Sequence, residues 1–278
     1  MLSESAVLGF YDYLTLTKGN ATNTAHLRVT HVRALWRWAS TCSEWMDEVP
    51  RYVEVELPQA DAPPRKRAPT WAQLDQMISE LEHFSVTRSA SNQKRPNAIG
   101  AHRAVVIMRF TGLRRSQVCE LRWDDFDLDN AELYIRPELG KSKAERRGRT
   151  IPISNHLVEV MAGWGRRRGL VCRSVETQVV NYYLIRAFKA AEIPEEVWRR
   201  QSAHCLRRSF TSELVSRGAM RFAVEILCGR STGVGGDVYT DPRFLWEKLR
   251  ETVDLIQPLG TSNETEIPTP KISSSPIQ

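Results

Sequence analysis

Apolar residues return every three or four positions along most of this chain, with charged residues between them. Residues 4–16 place Val7, Leu8, Tyr11 and Leu14 on one helical side. Residues 24–41 repeat Ala25, Val29, Val32, Leu35, Trp36 and Ala39, and carry His26, Arg28, Arg33 and Arg37 elsewhere. That basic side suits either a polyanion or plain solvent. Thr70 caps a helix running to about residue 82, with Trp71, Leu74, Met77, Ile78 and Leu81 on its apolar face. Residues 84–99 are polar and read as a loop. Residues 101–110 are apolar on most sides, which predicts a buried helix ended by Thr111-Gly112, and a second helix spans 114–123. Two short strands, 132–136 and 150–153, flank a basic loop and follow a β-prone stretch at 126–128, so a small antiparallel sheet is expected. Helices are then predicted at 154–164, 177–191, 204–217, 220–228 and 243–256. The fold class is therefore mainly α with one small antiparallel β-sheet, an α+β arrangement.

Proline divides the chain. Residues 56–70, ELPQADAPPRKRAPT, hold four prolines and a basic triplet, and proline resists both helix and central strand. The expected organisation is a helical unit at 1–57, a linker at 58–69 and a larger unit at 70–257. Residues 258–278 hold four prolines and many Ser and Thr, and are expected to be a disordered tail.

Charge changes this picture more than composition does. The net charge of +6 is modest for 278 residues, but basic residues cluster at 65–67, 141–149, 166–168 and 199–200. One such cluster means little; four of the same sign favour a polyanionic partner. Five cysteines lack any C-x-x-C pair, so a zinc site is not expected. No stretch of 18 apolar residues and no signal-like start occurs, and a soluble, cytoplasmic protein without a membrane partner is the expectation.

Chemistry concentrates between Ser202 and Tyr239. His204 and Arg207 are i, i+3 neighbours on one helix face, with Arg208 beside them. Arg forks match phosphate oxygens, so this pair suits an anion. A tyrosine nearby, Tyr239 after a glycine-rich segment, has the chemistry of a nucleophile towards phosphorus. Arg114 follows the Gly112 break at a helix start, where anions are favoured. Lys141 and Lys143 lie in the loop between two strands; for a lone lysine there, simple solvation is the better reading. Gly140-Lys141-Ser142 fails as a phosphate-binding P-loop, because Ile135 occupies the position of the first glycine. Asp124 and Asp125 are adjacent and point apart on a helix, so no metal pair is expected.

Taken in order, TGLR with Arg114, a hairpin lysine, H-x-L-R from His204 to Arg207 and a tyrosine after a G-x-S segment resemble the tyrosine recombinases, or phage-type integrases. The resemblance covers about residues 70–256. It implies a catalytic domain of that fold with a short helical DNA-binding domain before it. It implies that Arg114 and Arg207 hold a scissile phosphate, with His204 in proton-transfer or hydrogen-bonding contact. It implies that Tyr239, nine residues after Arg230, is the nucleophile, and that Lys141 rather than Lys143 protonates the departing oxygen. The implied activity is site-specific cutting and rejoining of double-stranded DNA through a 3′-phosphotyrosyl link, with no cofactor and no metal. Self-association into a tetramer on DNA through the helix at 243–256 is implied as well. Two departures stand out: Arg230 replaces the family's usual His or Trp, and Gln117 replaces its frequent Glu. Arg230 donates hydrogen bonds but does not shuttle protons. A DNA-binding protein that has lost catalysis, or a type IB topoisomerase-like enzyme, are the competing expectations.

Overall fold

The periodic stretches become helices, and their apolar faces meet. The computed structural model describes residues 3–42, 44–45, 47–59, 67–86, 94–140, 145–165, 168–199, 203–230 and 242–261. The chain divides into two units, Met1–Arg65 and Lys66–Gln278.

In the first unit, α1 (Glu4–Asp12) runs into a wider π turn, Tyr13–Thr17, and α2 (Thr22–Ala39) follows. Val7, Tyr11 and Leu14 bury against Ala25, Val29, Trp36 and Val55. The basic side of α2 is partly spent within the unit. Arg33 and Arg37 both pair with the Glu54 carboxylate, and Arg37 also reaches the Tyr52 hydroxyl at 3.2 Å. His26 Nε2 lies 2.6 Å from the Pro58 carbonyl oxygen. Of the four basic residues on that side, two are held by a carboxylate 17 to 21 positions further on, a pairing that helical periodicity does not reveal.

In the second unit, α3 (Trp71–Val86) and α4 (Lys94–Thr111) pack together and against α7 (Thr177–Ala190) and α9 (His204–Ser216). Helix α4 forms the centre: Ala101, Ala104, Val105, Val106, Ile107, Met108 and Phe110 are all buried. It starts earlier than expected, because Pro96 sits in its first turn, where the missing N–H costs nothing. The polar stretch read as a loop is thus helical at both described ends.

Helix α5 (Arg115–Cys119) is shorter than predicted and gives way to a 3-10 turn at Trp123–Asp125. The sheet is as expected: β1 (Phe126–Asp127), β2 (Glu132–Ile135) and β3 (Arg149–Pro152), antiparallel in that order. The register sets Phe126 opposite Leu133 and Ile135 opposite Arg149. Asp125 is structural. It accepts from the Arg122 backbone N–H at 2.7 Å and pairs with Arg136 Nε at 2.9 Å.

Helices α6 (Asn155–Ala162), α8 (Glu195–Trp198) and α10 (Arg221–Leu227) complete the set with α11 (Pro242–Asp254). The short α8 went unforeseen; it stacks Trp198 on Phe188 with ring centroids 5.9 Å apart. Leu249 and Val253 of α11, and Ile256 beyond it, are buried in the unit's own core. Arg250 ties the helix to the sheet by donating to the Asn130 carbonyl at 2.7 Å. The stretch expected to be a tail from 258 is ordered at its start: the Gly260 N–H donates to Asp75 at 3.2 Å. Residues 262–278 lie outside the described residues. Among the described residues no helix is long and apolar enough to cross a membrane.

Candidate active site

The site begins where α4 ends. The Thr111 hydroxyl donates back to the Ile107 carbonyl at 2.7 Å and accepts from the Leu113 N–H at 3.3 Å, closing the helix. Gly112 then turns the chain with φ +62°, and the Phe210 ring occupies the space where its Cβ would stand. Only glycine meets both demands.

That turn delivers Arg114 as the N-cap of α5, in extended conformation. Its N–H donates to Gln117 Oε1 at 3.2 Å, while Gln117 Nε2 donates to the Leu139 carbonyl at 3.2 Å. Gln117 is 1% exposed. A neutral amide accepts at one end and donates at the other; an ionised Glu does only the first. The sequence departure at this position therefore has a local reason. It fixes the backbone of Arg114 to the 3-10 turn Pro137–Leu139 that precedes Gly140.

Helix α9 brings the second group. His204 is its first residue and Arg207 lies one turn on. Arg207 is 2% exposed, and its Nη1 donates to the Gly112 carbonyl at 3.0 Å, across 95 residues of sequence. Phe210 and Arg207 thus clamp the same glycine from one helix, and Arg114 and Arg207 are held together. A cleft of about 380 Å³ opens here. It is lined by Arg114, Arg115 and Ser116, by His204 and Arg207, and by Thr177 at the start of α7. The N-terminal ends of α5, α7 and α9 all face it, and helix N-termini favour anions.

Electrostatics give the cleft its sign. His204 is exposed at its edge, and its pKa lies below the ordinary 6.5. Partial burial is the first cause, followed by the positive charges of Arg207, Arg230, Arg208 and Arg114. At neutral pH the imidazole is therefore uncharged and able to accept or donate a hydrogen bond. The Arg230 charge thus acts on His204 from outside the cleft lining. Arg230 leaves α10 through Gly229, whose φ is +67°.

The structure thus brings three of the six sequence-predicted residues together at the cleft, Arg114, His204 and Arg207, with the charge of a fourth, Arg230, acting on His204. Lys141, its alternative Lys143, and Tyr239 lie outside the described residues. Arg115, Ser116 and Thr177 were not singled out in the sequence. Arg115 had the signal of adjacency to Arg114, whereas Thr177 had none, since its place follows from packing alone.

Three buried cysteines are quiet. Burial pushes the Cys119 thiol up to about 11 and Cys205 to about 12, and raises Cys172 as well, so these cysteines are inert packing residues. Among the described residues no group of three or more His, Cys, Asp or Glu is placed to hold a metal ion.

Residues 72–243 match the sequence profile of the phage integrase family. The tyrosine recombinase XerC of Xanthomonas campestris pv. campestris (strain B100) is 23% identical over 242 residues, 84% of this chain and 70% of that protein. The tyrosine recombinase XerA of Pyrococcus furiosus is 27% identical over 164 residues, covering 54% of this chain and 52% of the relative. Among solved structures, XerH site-specific recombinase bound to a palindromic difH substrate, a post-cleavage complex, aligns with TM-score 0.59 and 16% identity. That alignment covers 90% of this chain and 71% of the other. The Tn1549 transposon integrase in complex with transposon right end DNA aligns with TM-score 0.58 and 16% identity, covering 92% and 81%. At such identities the structural likeness speaks for the fold.

Proposed function

The chain belongs to the phage integrase family, and from that premise we propose that it cuts and rejoins double-stranded DNA at specific sites through a 3′-phosphotyrosyl intermediate. The observation that carries this reading is the Arg207 bond to the Gly112 carbonyl. It sets two guanidinium-bearing segments and His204 around one cleft of phosphate-sized chemistry.

In the proposed step the Tyr239 oxygen forms a bond to phosphorus and the P–O5′ bond breaks. The tyrosine proton leaves to His204 or to water, and Lys141 gives a proton to the departing 5′ oxygen. Arg114, Arg207 and Arg230 donate to the non-bridging oxygens, where charge shifts in the transition state. A 5′ hydroxyl from another strand reverses the step, since the phosphodiester energy is kept in the tyrosyl bond. No metal or cofactor enters this scheme. DNA affinity comes mainly from phosphate contacts and falls steeply with salt. The expected organisation is a DNA-binding unit at 1–57, a linker at 58–69 and the catalytic unit at 70–257, the two units gripping one duplex.

Self-association into a tetramer on DNA through the C-terminal helix belongs to the same proposal. Because the inner face of α11 is buried in its own core, a neighbour has the outer face to dock on, where Phe244 is 45% exposed.

The test is a nicked suicide substrate built from the flanks of the coding gene. Wild type is expected to trap a covalent adduct, and Tyr239→Phe to bind the DNA without forming one. Arg230 in a position where the family uses His or Trp motivates the competing reading of a binding protein without catalysis. Site-specific DNA binding with no adduct from wild type selects that reading. Relaxation of plasmids lacking any particular site selects a topoisomerase-like activity.

A further inference from the structure

Arg149 opens β3 opposite Ile135, yet it is not an ordinary strand-end arginine. Its Nε and Nη2 are closed off from solvent. The guanidinium reaches from the sheet to the end of α10 and lies over Gly229. A Cβ added at Gly229 would collide with Cζ, Nη1 and Nη2 of Arg149. The backbone of residue 229 favours glycine, with φ +67°, and the Arg149 guanidinium occupies the space above its Cα.

The turn that Arg149 covers is tight. The Gly229 N–H donates to the Ile226 carbonyl at 2.8 Å, and the Arg230 N–H donates to the Glu225 carbonyl at 2.8 Å. The second bond closes a helix C-terminus of Schellman type. Arg230 follows this turn directly, and its charge acts on His204. The path from sheet to site is thus Arg149, Gly229, Arg230, His204, each link fixed by contact, covalent bond or field.

We propose that Arg149 is a positioning residue for strand cleavage: its guanidinium, packed flat on Gly229, holds the left-handed turn that delivers Arg230 to the cleft. The residue type fits the task. A planar fork covers a bare Cα and keeps its charge under all conditions, whereas a lysine offers a point charge on a flexible stem. A surface-solvation role does not account for an enclosed guanidinium on a glycine. The inference rests on the reading of the cleft as the phosphate site.

The test uses the full chain and four variants: Arg149→Ala, Arg149→Lys, Arg230→Ala and the Arg149→Ala/Arg230→Ala double. Three readouts are followed: adduct formation on the suicide substrate, half-site DNA affinity, and the His204 imidazole titration by NMR in free protein. The groups that face His204 are Arg207 and Arg208 on α9, Arg230 after α10 and Arg114 before α5.

Arg149→Ala is expected to slow adduct formation by about tenfold to a hundredfold, the scale of a misplaced catalytic group, with half-site affinity little changed. Arg149→Lys is expected to recover only part of that loss. In the Arg230→Ala background, loss of Arg149 should add nothing. The His204 pKa should rise in both single alanine variants, because Arg230 has left or lost its charge in each. Additive effects on the rate, or an unmoved His204 titration in Arg149→Ala, overturn the proposal. If Arg149→Ala does not fold, Arg149→Lys decides by the same titration. If wild type forms no adduct, the functional reading fails, while the titration still decides whether Arg149 places Arg230.

Discussion

Two buried arginines in the second unit look alike in exposure and differ in everything around them. Arg109 is 0% exposed and Arg207 is 2% exposed. Arg109 Nε pairs with Asp75 at 3.2 Å, and its guanidinium stacks on Trp71 with 4.0 Å to the ring centroid. Burial pulls its pKa down to about 10, against the opposing carboxylates of Asp75 and Glu213. Arg207 instead donates to a backbone carbonyl and sits in a cluster with Arg114, Arg208 and Arg230, all acting on one histidine. The first is a neutralised strut, and the second carboxylate oxygen of its partner Asp75 accepts from the Gly260 N–H. The second belongs to a concentration of positive charge at an open cleft. Packing tolerates a buried charge when a carboxylate answers it. Arg207 sits instead among arginines at an open cleft, a setting that suits the phosphate proposed above.

The comparison breaks most sharply at Arg109. Arg109→Ala is expected to cost about 3–5 kcal/mol, because Asp75 is left as an unanswered buried carboxylate. Chemical denaturation measures this. Cleavage per folded molecule should stay near wild type. Pairing Arg109→Met with Asp75→Leu should regain most of the stability, as apolar replacement of a whole buried pair often does.

Arg207→Ala is expected to do the reverse. Cleavage should fall by about 10²–10³, equal to roughly 3–4 kcal/mol of transition-state stabilisation, with a smaller effect on DNA affinity. Single-turnover rates on the suicide substrate read it out, and Arg114→Ala should behave alike. Normal rates in either variant would place that arginine outside the chemistry.

How much of this was legible before folding depends on sequence distance. The 3.6-residue period marked α2, α3, α7 and α9, since each buries one face. Arg114, His204 and Arg207 were singled out in the sequence, and they line one cleft; Tyr239, named with them on the family resemblance, lies outside the described residues. What the sequence hid is non-local. Glu54 holds Arg33 and Arg37 of α2, turning a face that looked open to DNA into an internal ion pair. Helical periodicity alone treats Arg109 and Arg207 alike; the Asp75 partner of Arg109 lies 34 residues before it. Thr177 reaches the cleft because α7 packs on α4, and Arg149 meets Gly229 because a strand start passes a helix end.

A smaller effect sharpens the contrast between the inner and outer faces of α11. Phe244→Glu adds a charge on the exposed outer side and should leave the melting temperature within a few degrees, since surface changes typically shift stability by about 0.5 kcal/mol or less. It should reduce cooperative binding to paired half-sites while leaving single half-site binding unchanged. Band-shift stoichiometry distinguishes the two. Unchanged cooperativity would move the protomer contact elsewhere. Removal of the helix would instead strip Leu249, Val253 and Ile256 from the core, at about 2 kcal/mol for each side chain, and should unfold the unit.

The smallest expected effect is on pH. His204 has a folded pKa below its unfolded 6.5. The unfolded state therefore takes up the proton first as pH falls. Stability is constant above about 6.5, declines as pH drops through the window between the two values, and levels off below the folded pKa. A bound phosphate offsets the four arginines and should raise the His204 pKa. NMR titration of the imidazole with and without a half-site oligonucleotide checks the sign; a downward shift on binding would put the phosphate elsewhere.

The central claim is that the Arg207 cleft serves one nucleophile. Mapping the trapped covalent adduct tests it most directly. After trypsin and nuclease digestion, the DNA-modified peptide should run from Ser231 to Arg243, whose one tyrosine is Tyr239. An adduct on any other peptide, such as the one carrying Tyr182 and Tyr183, would contradict the account.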